Sequence, residues 1–208
     1  MRKYKGLFIT FEKSAEGLGG TTQSLQLQEN MKRAGINSVL TREPGGTQVG
    51  QKLREILKYE KGLSRATELF LQMADRSQHY KEVLKPALKA GKVVISDRFF
   101  DSTLMYQGSG AGWKAAFLWR LHQATTGMLI PDLTFVLDGQ PHRAMNENDN
   151  FEGRGEDYLR RVHDKILGLA SKSNRYVILN GNQSIADLAE EIFNVVKTRF
   201  PEFFSSTG

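Results

Sequence analysis

The sequence contains no cysteine, and its five prolines form no linker that would divide the 208 residues. Without cysteine there is no disulfide framework, no thiolate metal site and no cysteine nucleophile. No apolar run approaches the roughly 20 residues that a membrane-spanning helix needs. The basic N-terminal residues lead directly into a short strand-like segment, which is unlike a signal peptide. We therefore expect a cytoplasmic protein with no membrane segment.

The composition is that of an ordinary globular protein. Hydrophobic residues make up 39% and charged residues 25% of the chain, which excludes a disordered or low-complexity protein. The length suits one compact domain over residues 1–208. The formal net charge of +6 favours an anionic partner, and its basic residues are spread along the chain. Phosphorylated small molecules are therefore at least as plausible as nucleic acid.

Five short apolar runs recur at wide intervals and predict strands. They cover residues 6–11, 38–42, 92–96, 133–138 and 175–180. Runs such as Val93-Val94-Ile95 are apolar on successive residues, which is typical of strands buried on both faces of a parallel sheet. Helical patterns lie between them, and the last one has Ser184 as its predicted N-cap and Ile185 on its apolar face. The alternation predicts a doubly wound or three-layer α/β fold with a five-stranded, mostly parallel sheet.

A glycine-rich turn follows the first strand. Phosphate loops have the pattern G-x-x-x-x-G-K-[ST], in which backbone N–H groups and a helix N-terminus face a phosphate. Only Gly19 and Thr21 fit this pattern, because Ser14 stands at the first glycine and Gly20 stands at the lysine. Taken alone, the segment is better explained as a tight turn between a strand and a helix.

Polar residues follow the second and third strands. Arg42 begins the segment REPGGT, where it can bind phosphate or simply precede a turn capped by Thr47. Residues 97–108 mix a cation, carboxylates, hydroxyls, a phenol and an amide, which suits a polar ligand better than a core. On an intervening helix, Gln72 and Arg76 are four residues apart and share a face, which taken alone is better explained as a solvated stripe on an otherwise apolar helix. We expect His79 to lie on the surface of this helix.

Together these segments resemble bacterial thymidylate kinase over about residues 6–196. The combination of REPGGT, DRxxxSxxxYQG and PDLTxxLD carries the resemblance, along with residues 8–12 and 74–79. The resemblance implies a P-loop kinase fold, in which the γ-phosphoryl group of ATP is transferred to dTMP with Mg²⁺. It also implies a homodimer.

The resemblance assigns roles to individual residues. Arg42 and Arg98 match the dTMP phosphate side, Arg76 matches the arginine at the thymine carbonyl, and Tyr106 matches the tyrosine beneath the sugar. Thr103 and Gln107 lie at the base edge, and Gln72 is a further dTMP-binding position. The residues matched to ATP are Gly17, Gly19, Gly20, Thr21 and Thr22, and Arg154 is added as an ATP-binding candidate that could reach the phosphates from the lid. Glu16, Asp97 and Thr21 are the metal-site candidates, and the catalytic candidates are Glu16, Asp97 and Arg98, to which Lys13 is added as a substitute for the missing loop lysine.

The sequence departs from the family in three places. The phosphate-loop lysine is Gly20, and the loop is one residue longer than usual. The lid, about residues 140–157, is short and has only Arg143 before Arg154. Gln72 replaces a phenylalanine that stacks on thymine. Donor-side cations are thus missing, and we expect turnover far below a family member's unless Lys13 or Arg154 substitutes.

These departures leave several alternatives open. On the usual loop path, Gly20→Lys should raise the rate by up to ~10²-fold, the scale of one electrostatic contact. The chain can instead be a non-catalytic nucleotide-binding paralogue, or a kinase for another nucleoside monophosphate. Nucleic-acid binding is less favoured, because no aromatic and basic stripe occurs.

Overall fold

The computed structural model describes residues 2–15, 17–140 and 155–205. Strands and helices alternate along these residues. The strands are β1 (Leu7–Lys13), β2 (Ser38–Arg42), β3 (Val93–Asp97), β4 (Leu133–Asp138) and β5 (Tyr176–Asn180). The helices are α1 (Gly20–Arg33), α2 (Gln48–Tyr59), α3 (Arg65–His79), α4 (Lys85–Lys89), α5 (Phe100–Thr103), α6 (Ala115–Thr126), α7 (Glu156–Ala170) and α8 (Ile185–Arg199). Two π-helical turns, Tyr80–Leu84 and Leu104–Gly110, continue α3 and α5.

The five strands form one parallel sheet in the order β2-β3-β1-β4-β5. The predicted parallel α/β sheet is therefore confirmed, with strand bounds that move by no more than two residues from those predicted. Asp97 pairs in register with Phe11 of β1 and with Arg42 of β2. The carboxyl ends of the three strands therefore meet at one edge of the sheet, where α/β proteins bind their ligands.

Side chains on alternate positions of β1 enter different cores. Leu7, Ile9 and Phe11 pack with α1 and α8 on one face of the sheet. Phe8 packs on the other face among residues of α3, α4 and α6. Both faces of β1 are thus covered, which explains its continuous apolar run.

The N-cap of α8 is the residue predicted from the sequence, but the prediction that Ile185 belongs to the buried apolar face is wrong. The Ser184 side chain accepts a hydrogen bond from the Asp187 backbone N–H, as predicted for the N-cap. Ile185, however, is 59% exposed, because the buried stripe starts one turn later at Leu188. Among the helices in the described parts of the chain, none is long and apolar enough to cross a membrane.

Candidate active site

A cleft opens at the sheet edge where β1, β2 and β3 end. Ten of the residues singled out from the sequence line it: Lys13, Thr21, Arg42, Gln72, Arg76, Asp97, Arg98, Thr103, Tyr106 and Gln107. Gly17 and Gly19 lie in the connection from β1 to α1, and Gly20 and Thr22 lie in the first turn of α1. Glu16, Arg154 and most of the predicted lid, with Arg143, lie outside the described residues.

The connection between β1 and α1 presents the start of a helix to the cleft. Gly19 has a φ of 78°, a left-handed conformation that favours glycine, and α1 begins at the next residue. No side chain caps this N-terminus among the described residues. The first N–H groups of a helix have no partner within it, and the helix dipole favours negative charge there. The start of α1 is therefore suited to a phosphate.

Asp97 joins the helix start to the end of β1. Its Oδ2 accepts a hydrogen bond from the Thr21 hydroxyl at 2.5 Å, and its Oδ1 lies 3.3 Å from Lys13 Nζ. The Lys13 side chain is only 8% exposed. Burial, followed by the positive charge of Arg98, lowers the pKa of Lys13 to about 8, against the opposing pull of Asp97. A cation, a carboxylate and a hydroxyl therefore meet at one point of the cleft.

Arg98 has an unusual backbone conformation that fixes where its side chain starts. Its φ is 72°, which is uncommon for a residue other than glycine. The Arg98 N–H donates to Phe11 O at 2.9 Å, and Ser96 Oγ donates to Arg98 O at 2.7 Å. Such strain persists where the surrounding structure over-determines it, and it is frequent at functional sites.

The Arg98 guanidinium lies along the wall of the cleft. Its Nη1 is 3.2 Å from Tyr106 Oη and 3.3 Å from Ser102 Oγ. Its carbon Cζ lies 5.2 Å from the centroid of the Tyr106 ring, within cation–π range. These contacts orient a charged fork that can bind a phosphate with two nitrogens.

Arg76 is held by four hydrogen bonds within the protein, one of which runs from Nη1 to Met73 Sδ at 4.0 Å. Its Nε donates to Glu43 Oε2 at 2.8 Å, its Nη1 to Thr103 Oγ1 at 2.9 Å, and its Nη2 to Phe99 O at 3.2 Å. A guanidinium has five N–H donors, so these bonds use only part of its capacity. Arg76 therefore faces the cleft in a fixed orientation.

His79 is buried, and its predicted position on the helix surface is wrong. Nδ1 lies 2.8 Å from Glu43 Oε1, and Nε2 lies 2.6 Å from Thr41 Oγ1. Glu43 is buried too, and Arg76 and His79 together lower its pKa despite the burial that raises it. The histidine was misjudged because its polar partners come from the REPGGT segment, which is distant in sequence.

Gly46 and Gly50 allow the REPGGT segment and the first turn of α2 to approach α3 closely. The Gly45 N–H donates to Asp75 Oδ1 at 3.0 Å. A Cβ at Gly46 would lie 2.5 Å from the His79 ring, and a Cβ at Gly50 would lie 2.3 Å from Asp75 Oδ1. Burial raises the pKa of Asp75 to about 6. Residues 43–50 therefore fit α3 only with glycine at these positions.

The far wall of the cleft carries the residues predicted to meet a base and a sugar. Tyr106 and Gln107 lie buried on the π-helical turn that follows α5, and Thr103 ends α5. The Tyr158 hydroxyl of α7 donates to Tyr106 O at 3.2 Å and braces this turn. Gln72 of α3 completes the wall and is half-buried.

Several contributors to the cleft were missed from the sequence. Glu12 is fully buried and accepts hydrogen bonds from the Phe99 N–H at 3.0 Å and the Ser102 hydroxyl at 2.6 Å. Burial, followed by the charge of Asp101, raises its pKa to about 7. Arg54 and Lys58 also line the cleft from α2, and their spacing of four residues on one helix is a signal that could have found them.

The parallel sheet, its strand order and the glycine turn leading into α1 define a P-loop kinase fold, and comparisons with known proteins agree. A family model described as thymidylate kinase matches residues 15–192. The chain is similar to thymidylate kinase from a Synechococcus species, with 40% identity over 94% of this chain and 96% of the relative. It is similar to thymidylate kinase from Maridesulfovibrio salexigens, with 39% identity over 97% of this chain and all of the relative.

A solved structure gives the same result. The chain matches a crystal structure of thymidylate kinase from Ehrlichia chaffeensis with a TM-score of 0.78 and 32% identity, over 92% of this chain and 98% of that one. The chain belongs to the thymidylate kinase family.

Proposed function

We propose that this protein is a thymidylate kinase that transfers the γ-phosphoryl group of ATP to dTMP and forms dTDP and ADP. The activity would belong to one nucleoside monophosphate kinase domain over residues 1–208. The observation that carries the proposal is the composition of one cleft. The start of α1, with Thr21, Asp97 and Lys13, borders the same cleft as the guanidinium of Arg98 and the wall of Thr103, Tyr106 and Gln107. A donor phosphate site and an acceptor nucleotide site are thereby adjacent.

The acceptor side is assigned from charge and shape. Arg98 and Arg42 bind the dTMP phosphate, because both extend from the carboxyl ends of strands at the cleft. Arg76 donates to a base carbonyl with the second N–H of Nη2, which its hydrogen bonds within the protein do not use. Tyr106 lies beneath the sugar, and Gln72, Thr103 and Gln107 border the base.

The donor side is assigned from backbone and oxygen groups. Gly17, Gly19, Gly20, Thr21 and Thr22 hold the ATP phosphates with the start of α1. The hydroxyl of Thr21 and the carboxylate of Asp97 are the hard oxygen ligands that Mg²⁺ takes, and they lie together at the cleft. These residues fit the ion, although the described ranges contain no group of three or more histidine or acidic side chains placed to hold a metal ion by themselves. When bound, Mg²⁺ neutralises charge on the donor phosphates.

The protein's own contribution to the reaction is placement and charge. An oxygen of the dTMP phosphate attacks the γ-phosphorus, and the bond from that phosphorus to the β,γ-bridging oxygen breaks, which releases ADP. Arg98 fixes the attacking phosphate against its own charge repulsion. The cation at Lys13 lies in the same cleft, beside Asp97 and Thr21.

A coupled assay of ADP release tests the proposal across several monophosphates, with ATP and Mg²⁺ present. We expect turnover with dTMP that exceeds turnover with dUMP, dCMP and dGMP. Calorimetry with dTMP alone is run in parallel. Tight dTMP binding without turnover would favour a non-catalytic nucleotide-binding paralogue instead.

The presence of Gln72 favours a second candidate function, that of a kinase for a nucleoside monophosphate with a different base. Its amide stands at the cleft where the family has an aromatic ring that stacks on thymine. An amide can hydrogen-bond to a base edge but offers less stacking surface. Faster turnover of another monophosphate, with restoration of dTMP preference in Gln72→Phe, would support this candidate over dTMP.

We further propose that the protein forms a homodimer through α2 and α3. Val49, Ile56 and Tyr59 of α2 and Phe70 of α3 are large apolar side chains between 39% and 57% exposed. The two helices pack against each other. Light scattering should give twice the mass of the chain for the wild type, and Phe70→Lys should shift it towards one chain. A monomeric wild type at micromolar concentration would contradict the dimer.

A further inference from the structure

The Lys13 side chain folds back across the start of α1. Lys13 ends β1, and its Nζ reaches Asp97 Oδ1 at 3.3 Å. A Cβ added at Gly20 would lie 2.8 Å from Lys13 Cδ and 3.1 Å from its Cγ and Cε. Carbon atoms do not approach one another at 2.8 Å without bonding. The stem of Lys13 therefore occupies the space that any side chain at position 20 would need.

The backbone gives no other reason for glycine at position 20. Gly20 is the first residue of α1 and is not among the residues with positive φ, whereas Gly17 and Gly19 are. Alanine is favoured over glycine within helices by about 1 kcal/mol. The approach of Lys13 is thus the observed feature that accounts for the missing side chain.

The Lys13 side chain is buried beside Asp97 and lines the same cleft as the guanidinium of Arg98. Two cations that converge on a cleft repel each other, and a bound phosphate relieves that repulsion. The arrangement is therefore better suited to ligand binding than to stabilising the fold.

We propose that the phosphate-binding cation has moved from position 20 to position 13, so that Lys13 Nζ binds the donor phosphates and Gly20 provides the space for its stem. Position 20 is where the phosphate-loop pattern has its lysine. Lys13 thus supplies the cation that position 20 supplies in the pattern, and Gly20 leaves room for its side chain. This inference rests on the proposed function, because it concerns the donor site of that reaction. It also reverses the expectation that Gly20→Lys raises the rate, since a side chain there displaces the cation already present.

The first test removes the cation. Lys13→Met keeps the length of the stem and should lower kcat for dTMP by about 10²- to 10³-fold, as loss of one preorganised charge does. The affinity for a nonhydrolysable ATP analogue, measured by calorimetry, should fall as well. The KM for dTMP should change little. Lys172→Met removes an exposed lysine far along the chain and is the matched control.

The second test keeps Lys13 and fills the space that its side chain occupies. Gly20→Ala should lower kcat and analogue affinity in the same direction as Lys13→Met, while the protein stays folded by circular dichroism. Gly168→Ala is the matched control, because Gly168 also lies in a helix and a Cβ there meets nothing within 4 Å. Gly168→Ala should have wild-type kinetics.

The third test exchanges the two residues. The double variant Lys13→Gly with Gly20→Lys should be at least ~10-fold faster than Lys13→Gly alone, since it restores a single cation without a clash. A double variant no faster than Lys13→Gly would contradict the exchange. Wild-type kcat and analogue affinity in both Lys13→Met and Gly20→Ala would overturn the assignment of Lys13. In that case dTMP turnover by the wild type would still support the proposed function, whereas absent wild-type turnover would count against that function.

Discussion

At the scale of single residues, the site depends on three residues whose backbone conformation or burial is energetically unfavourable for the fold. Arg98 has a left-handed backbone, Lys13 is a buried cation, and Glu12 is a buried carboxylate. Each is held by hydrogen bonds to neighbours that come from other strands and helices. Charges fixed in advance around a cleft act on a ligand without reorganisation, which is how electrostatic catalysis operates. The cost to the fold is consistent with a function for these residues.

Arg98→Ala should weaken dTMP binding by about 1.5 to 3 kcal/mol, the range for a charged hydrogen bond. The physical reason is loss of the guanidinium that lies against Tyr106 and Ser102 at the cleft. Calorimetry with dTMP measures the change. Arg120→Ala, on the exposed side of α6, is the control. Equal affinity in Arg98→Ala and the wild type, with the fold intact, would remove Arg98 from phosphate binding.

His122 should make stability depend on pH. Its ring is buried, stacks on Phe100 with centroids 4.0 Å apart, and lies 2.7 Å from Leu129 O through Nε2. Burial, followed by the charge of Arg76, lowers its pKa to about 3. The unfolded chain, with a histidine pKa of about 6.5, binds a proton below that pH that the folded chain does not. Stability is therefore lost as pH falls from about 6.5 towards 3.

The measurement compares the wild type with His122→Gln in denaturant unfolding at several pH values. Between pH 7 and 5 the wild type should lose about 2 kcal/mol relative to the variant, from the linkage of one histidine. Asp75 and Glu12, whose raised pKa values act in the opposite direction, are present in both proteins and cancel. Parallel stability profiles would show that His122 is protonated in the folded state.

At the scale of elements, α3 positions the segment that follows β2. Asp75, Arg76 and His79 lie on one side of the helix and bind Gly45, Glu43 and Thr41. Arg42, the last residue of β2, leads directly into this segment. We therefore expect changes in this part of α3 to affect the acceptor side more than the donor side.

His79→Ala should lower the free energy of unfolding by about 1 to 3 kcal/mol, because it leaves buried polar partners without a donor. The variant should also raise the KM for dTMP more than the KM for ATP, since it displaces the segment that follows Arg42. His163→Ala, on the partly exposed side of α7, is the control and should change neither constant. An equal rise in both KM values would show that α3 does not act on the acceptor side selectively.

The sequence was informative about elements and less so about side-chain placement. All five strands followed from their apolar runs and α8 followed from its apolar periodicity, because burial imposes these patterns locally, whereas α6 and α7 were not predicted. The burial of His79 did not follow, since its partners Glu43 and Thr41 are brought to it only by the sheet order. The close approach of the Lys13 side chain to Gly20 could likewise not be predicted, although both residues had been singled out from the sequence. Helix periodicity also misplaced Ile185, because the end of a helix extends beyond the core.

At the scale of the whole molecule, the sheet gathers residues from distant parts of the chain to one edge. Lys13, Arg42 and Asp97 end three adjacent strands, and α1 and α3 supply the remaining groups of the cleft. The proposed donor and acceptor sites therefore share one edge of the sheet, and the assignment of one site depends on that of the other. The cytoplasmic location and the homodimer remain predictions at this scale.

Transfer of labelled phosphate tests the central claim most directly. The wild type is incubated with ATP labelled at the γ-phosphate, Mg²⁺ and dTMP, and the nucleotides are separated. We expect label to appear in dTDP in a saturable manner, and to appear far more slowly with Lys13→Met and with Arg98→Ala. Label that stays in ATP or appears only as inorganic phosphate, with a wild type that is folded and binds dTMP, would contradict the claim that this cleft phosphorylates dTMP.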